Sequence, residues 1–148
     1  MQSDESAMRS SRCYLSITLV HTVTFAGYNC ADFRIPDNDG DQPRNEIIDP
    51  SLSSPTGSST DAFLPSTLDL SSVKSRLHSS HGAQISLSQN AGRYVCNYTL
   101  FTTLNHLRNQ ADTPKFRAAF VHLPTFDMIE ESRQRGMLVD IFREMAVL

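Results

Sequence analysis

The chain has 148 residues, 39% of them apolar and 20% charged, with a formal net charge of −3; this describes a globular protein with one sizeable core and gives no footing for nucleic acid or an anionic membrane surface. Its three cysteines, Cys13, Cys30 and Cys96, are an odd number without C-x-x-C spacing. That argues against a zinc site and a disulfide framework and for a reducing, cytoplasmic compartment.

Residues 1–12 are polar and read as a disordered N-terminus, and 13–148 as a single α/β domain. Arg9 and Arg12 precede the run Cys13 to Gly27, an outline faintly like a secretory leader. Ser16, Thr18, His21, Thr22 and Thr24 make that run too polar, and Asp4 and Glu5 sit in the would-be basic region. No apolar run approaches the roughly 18 residues a membrane span needs. Leu15, Ile17, Leu19, His21, Val23 and Phe25 alternate with polar residues, which predicts a strand with His21 packed on its apolar face.

Asn29 to Pro50 is loop-like, with turn chemistry in Pro36-Asp37-Asn38-Asp39-Gly40. Asp37, Asp39 and Asp41 do not make a calcium loop, because the sixth and twelfth positions are Gln42 and Ile48. The Ser-rich stretch near 51–60 reads as a flexible surface insertion. Leu70, Val73 and Leu77 predict a helix over 69–80, capped by Asp69 and ended by Gly82. His78 and His81 at its end, like His106 further on, are read as solvated rather than as metal ligands.

A short strand over 84–88 follows, then a second helix after Gly92, marked by Val95, Tyr98, Phe101, Leu104 and Leu107. Asn97-Tyr98-Thr99 fits the glycosylation sequon by chance. Arg117 to His122 reads as a buried strand closed by Pro124, and Met137, Ile141, Met145 and Leu148 mark a C-terminal helix from Ile129. Glu131 and Arg135 are placed to pair across one turn of it. The order is α/β, in which ligands gather at the carboxyl ends of strands.

Cys96 stands where such a strand end meets a helix start. Helix N-termini stabilise a thiolate, which is the nucleophilic form. On that stretch alone the competing reading, a small buried hydrophobe, is favoured. Cys13 and Cys30 are read the same way. His122, at a second strand end, supplies an imidazole that could meet the thiol.

The segments Ala91-Gly92-Arg93-Tyr94-Val95-Cys96-Asn97, Phe120-Val121-His122-Leu123-Pro124 and Asp32-Phe33-Arg34-Ile35-Pro36-Asp37-Asn38 resemble the cysteine, histidine and Arg-x-Pro-Asp-Asn blocks of the pyroglutamyl peptidase I family. Phe63 to Leu68 resembles a fourth, with Pro65 intruding. They occur in family order from about Thr22 onward. The resemblance implies a three-layer α/β/α fold with a mixed, mostly parallel sheet. It also implies a cysteine peptidase, without cofactor or metal, that removes N-terminal pyroglutamate from peptides. Cys96 would be the nucleophile, His122 the general base and then acid, and Arg34 an oxyanion donor, with Ile35, Tyr94 and Val95 lining the lactam pocket.

Two departures accompany it. Aligning on Asn29 puts Thr24 where the family has its catalytic glutamate, and no acid lies between Glu5 and Asp32. The family's N-terminal strand–helix units have no counterpart here, so the sheet is expected to be truncated there, with strand edges open to a homo-oligomer. The alternative function is a catalytically inactive relative acting by binding or assembly. Neither nucleic acid nor membrane is expected as a partner.

Overall fold

A computed structural model describes residues 21–52, 57–81, 85–110 and 117–147. The expectations for residues 1–12, for Cys13, for the first part of the first strand, for Gly82 and for Leu148 lie outside them.

The elements in chain order are β1 (His21–Thr24), β2 (Ala26–Tyr28), β3 (Phe63–Pro65), α1 (Leu70–His81), β4 (Ile85–Ser88), α2 (Val95–Arg108), β5 (Phe120–His122) and α3 (Glu131–Ala146). A 3₁₀ turn over Ser59–Asp61 closes the Ser-rich stretch. The main sheet has the order β4-β1-β5, and β2 and β3 form a second, two-stranded sheet. β1 runs parallel to β4, with His21 opposite Ile85 and Thr24 opposite Ser88. β5 runs antiparallel to β1, with Thr22 opposite His122 and Thr24 opposite Phe120. The sheet is therefore mixed as expected: among the described residues β1–β4 pairs parallel, β1–β5 antiparallel and β2–β3 antiparallel.

Two apolar clusters occupy the two faces. Val23 and Ile85 pack with Leu70, Val73 and Leu77 of α1 and with Met137 and Ile141 of α3. Leu64 and Ala91 pack with Leu100, Phe101 and Leu104 of α2. Successive residues of β5 serve opposite clusters, Val121 the first and Phe120 the second, as the two-residue period of a strand requires. Helices thus cover both faces, in the α/β/α layering.

The helices form where the apolar spacing places them. α1 begins one residue after Asp69, whose carboxylate accepts bonds from the Ser72 backbone N–H (3.1 Å) and hydroxyl (2.6 Å). α2 follows Gly92, whose φ of +80° suits a residue without a Cβ. Glu131 and Arg135 pair at 3.7 Å along α3.

The expected long strand breaks at Phe25, which separates β1 from β2 and receives a bond from Ser66 N–H while donating to Ser88 O. The expectation of a buried strand at His122 needs a second correction. All three residues of β5 are only half-buried, because β5 lies at the edge of the described sheet with one hydrogen-bonded neighbour. No helix among the described residues is long and apolar enough to cross a membrane.

Candidate active site

The turn that delivers Cys96 is built from short polar side chains. The Asn90 side-chain oxygen accepts the Gly92 N–H at 2.8 Å, and Gly92 reverses the chain. Tyr94 is the extended N-cap of α2, without a capping side-chain bond. The first-turn N–H groups of α2 therefore lack the usual side-chain acceptor, and their partial positive charge favours an anion. Cys96 is the second residue of that turn, half-exposed and free of any disulfide.

Beside it lies the loop that carries Arg34. The Arg34 guanidinium donates to the Tyr94 hydroxyl at 3.0 Å and sits 4.2 Å from the centroid of the Tyr94 ring. Ile35 (76% exposed), Val95 (58%) and Tyr94 (38%) are open apolar surface around this pair. Phe33 meets Tyr98 edge-on, with ring centroids 5.7 Å apart. Asp32 N–H donates to Arg93 O at 2.7 Å, so the two loops are joined through the backbone as well. Arg34 and Ile35 on one loop, and Tyr94, Val95 and Cys96 at the start of α2, are thus brought together through the joined loops that precede and carry them.

His122 is placed differently. β4 ends at Ser88, beside Thr24, and the chain continues from there to Cys96. β5 is antiparallel to β1, so its last residue, His122, lies beside Thr22, toward the opposite end of β1. Its ring stacks near Phe120 at 4.8 Å between centroids. Burial, with no charged partner, holds its imidazole below the ordinary histidine value. No hydrogen bond joins Cys96 to His122 among the described residues. The expectation of neighbouring carboxyl ends assumed a parallel strand.

Thr24 is fully buried and its hydroxyl has no hydrogen-bond partner. His21 is also fully buried, as expected for the apolar face of its strand.

Three residues to which the sequence assigned no role in the site hold it together. Arg93 donates to Thr60 O at 3.0 Å and to Asp61 at 3.1 Å, and lies over the Tyr28 ring at 5.2 Å. The buried Cys30 sulfur, ahead of Asp61, holds the Arg93 guanidinium above its ordinary value. Asn29, fully buried, donates to Asp49 O and Leu52 O and accepts from Ile48 and Asp49 N–H. Asn97 is buried against Tyr28 and Cys30. The sequon reading of Asn97 as chance agrees with that burial, which leaves no room for a glycan. The available signal was a polar amide at an otherwise apolar helix position.

The profile of the pyroglutamyl peptidase family matches residues 18–139. The chain belongs to the pyroglutamyl peptidase family. The pyrrolidone-carboxylate peptidase of Bacillus subtilis is 33% identical over 124 residues, covering 80% of this chain and 53% of that protein. Pyrrolidone-carboxylate peptidase 1 of Photorhabdus laumondii is 34% identical over 108 residues, covering 70% of this chain and 44% of that protein. Among solved structures, the pyrrolidone carboxyl peptidase from Thermococcus litoralis superposes with a TM-score of 0.69 at 25% identity, covering 86% of this chain and 60% of that one. The family is one of cysteine peptidases, and its α/β fold is the fold described above. This pyroglutamyl peptidase family member spans about half the length of the curated relatives it matches.

Proposed function

We propose that this chain carries a cysteine peptidase site that removes N-terminal pyroglutamate from peptides. The observation that carries the reading is the half-exposed Cys96 in an uncapped first helical turn, beside the Arg34–Tyr94 pair, in a chain of this family.

The Cys96 sulfur attacks the pyroglutamyl carbonyl carbon, and its proton passes to His122. The tetrahedral oxyanion faces the Arg34 guanidinium and the N–H groups of the first turn. Collapse breaks the carbon–nitrogen bond, His122 returns the proton to the leaving amine, and a thioester remains on Cys96. Water, deprotonated by His122, then hydrolyses the thioester and releases pyroglutamate. Ile35, Tyr94 and Val95 present a flat apolar surface that suits an uncharged lactam better than a charged glutamate. Catalytic hydrogen bonds are often long or poorly aligned before substrate binds, and this role requires His122 to come within hydrogen-bond reach of the Cys96 thiol in the substrate complex. A compartment without disulfide chemistry suits the free thiol.

A second reading, an inactive relative acting by binding or assembly, is favoured by two observations. Thr24, which the resemblance puts at the carboxylate position, is a buried hydroxyl without a hydrogen-bond partner, and no hydrogen bond links Cys96 to His122 among the described residues. Release of a fluorogenic amine from a pyroglutamyl amide, lost in Cys96→Ala, supports the peptidase. A well-folded chain that releases none, and whose Cys96 takes no pyroglutamyl electrophile, leaves the second reading. Electrophile labelling that disappears in His122→Ala, but survives a surface substitution, identifies His122 as the base.

A further inference from the structure

Asn97 follows Cys96 directly and is fully buried. Its side-chain oxygen accepts the Tyr28 N–H at 2.8 Å, and its side-chain nitrogen donates to Tyr28 O at 2.9 Å and Cys30 O at 2.8 Å. The amide treats Tyr28 as a neighbouring strand would, engaging both its N–H and its C=O. Tyr28 closes β2, and the chain leaving it passes Cys30 and reaches Arg34 four residues later. The same stretch is fastened again by Asp32 N–H on Arg93 O, by the Phe33 ring against Tyr98, and by Arg34 on Tyr94. Asn97 and Tyr98 both come from the helical turn that holds Cys96, and among the described residues only Asn97 links that turn to the stretch through side-chain hydrogen bonds from a fully buried side chain.

We propose that Asn97 is a positioning residue: by engaging Tyr28 and Cys30 it sets the spacing between the Cys96 thiol and the Arg34 guanidinium. A buried side chain with three backbone partners cannot swing without leaving a donor and two acceptors unsatisfied. The first turn of α2 is therefore fixed relative to the arginine loop, although Cys96 and Arg34 come from distant parts of the sequence. Its meaning for catalysis rests on the roles proposed above for Cys96 and Arg34, so the experiment reads their spacing without turnover.

The probes are iodoacetate and iodoacetamide, one anionic and one neutral, of similar size. Each alkylates the thiolate with loss of iodide, and site-resolved mass spectrometry separates Cys96 from the other two cysteines. A nearby guanidinium accelerates the anionic reagent selectively, whereas thiol exposure and nucleophilicity affect both. In the native chain the rate ratio of iodoacetate to iodoacetamide at Cys96 is expected to fall about two- to threefold in Arg34→Gln, the size of one partly screened charge. Asn97→Ala, and the milder Asn97→Ser, are expected to lower the ratio by a similar factor while the circular dichroism stays native. Adding Arg34→Gln to either is expected to lower it no further, because both changes remove the same interaction. An unchanged ratio in folded Asn97 variants, or losses that multiply in the double variant, would overturn the proposal. So would an unchanged ratio in Arg34→Gln, a substitution at an exposed residue, which keeps the test decisive should the Asn97 variants not fold. Absence of peptidase activity with the ratio pattern intact would count against the peptidase reading and leave the positioning role standing.

Discussion

Thr24 is the residue at which family chemistry and local physics meet. A hydroxyl is buried there without a partner, in the place the resemblance gives to a carboxylate. Burying an unpaired hydroxyl costs free energy, and valine has nearly the same shape. Thr24→Val is therefore expected to raise unfolding stability by about 1 kcal/mol, read from the urea midpoint. His122 carries a second residue-scale expectation. Its folded-state pKa lies below the ordinary value of about 6.5, because burial penalises the imidazolium. The unfolded chain thus binds more protons between the folded and ordinary values. The contribution is intact above the ordinary value and is lost as pH falls through the folded one. Replacing His122 with Asn is expected to flatten that segment of the stability–pH curve. The same shift keeps the imidazole neutral, and able to act as a base, to lower pH than in a free histidine.

At the scale of elements, α2 and β2 are pressed together through Gly27. A Cβ there would lie 2.7 Å from the Phe101 backbone nitrogen and Cα, so neither partner can yield without moving its chain. Gly27→Ala is expected to cost about 2–3 kcal/mol in denaturant unfolding and to loosen the turn that holds Cys96. The start of α1 depends on Asp69, whose carboxyl is held below its ordinary value first by the Ser72 hydroxyl and then by the Ser72 N–H. Its folded pKa is depressed, so the cap is present above the ordinary carboxylate range and fades as pH falls through the folded value. Asp69→Ala is expected to lower the melting temperature by a few degrees at neutral pH and by less in acid, followed by circular dichroism. The helices were legible because their apolar residues recur at helical spacing and the flanking Asp69 and Gly92 punctuate them. The break at Phe25 was not. Its cause is the pairing of Phe25 with Ser88 and Ser66, residues more than 40 positions away.

For the whole molecule, the central sheet is held by helices on both faces. Ile141 of α3 is fully buried in the cluster that joins α3 to α1 and the sheet. Ile141→Ala is expected to cost about 3 kcal/mol, read in urea, with a single transition reporting both helices. The sequence by itself determined the helices, the turns, the family blocks and the grouping of Cys96 with Tyr94 and Val95, because these depend on residues close along the chain. It also named Thr24 and His122 as the positions to watch. Tertiary structure alone decided the direction of β5, and with it where His122 stands relative to Cys96. It also decided that Asn97, Arg93 and Cys30 bind the two loops of the site. Strand direction and side-chain partners of this kind depend on which distant backbone groups need hydrogen bonds, and that need exists only once the sheet and helices have packed.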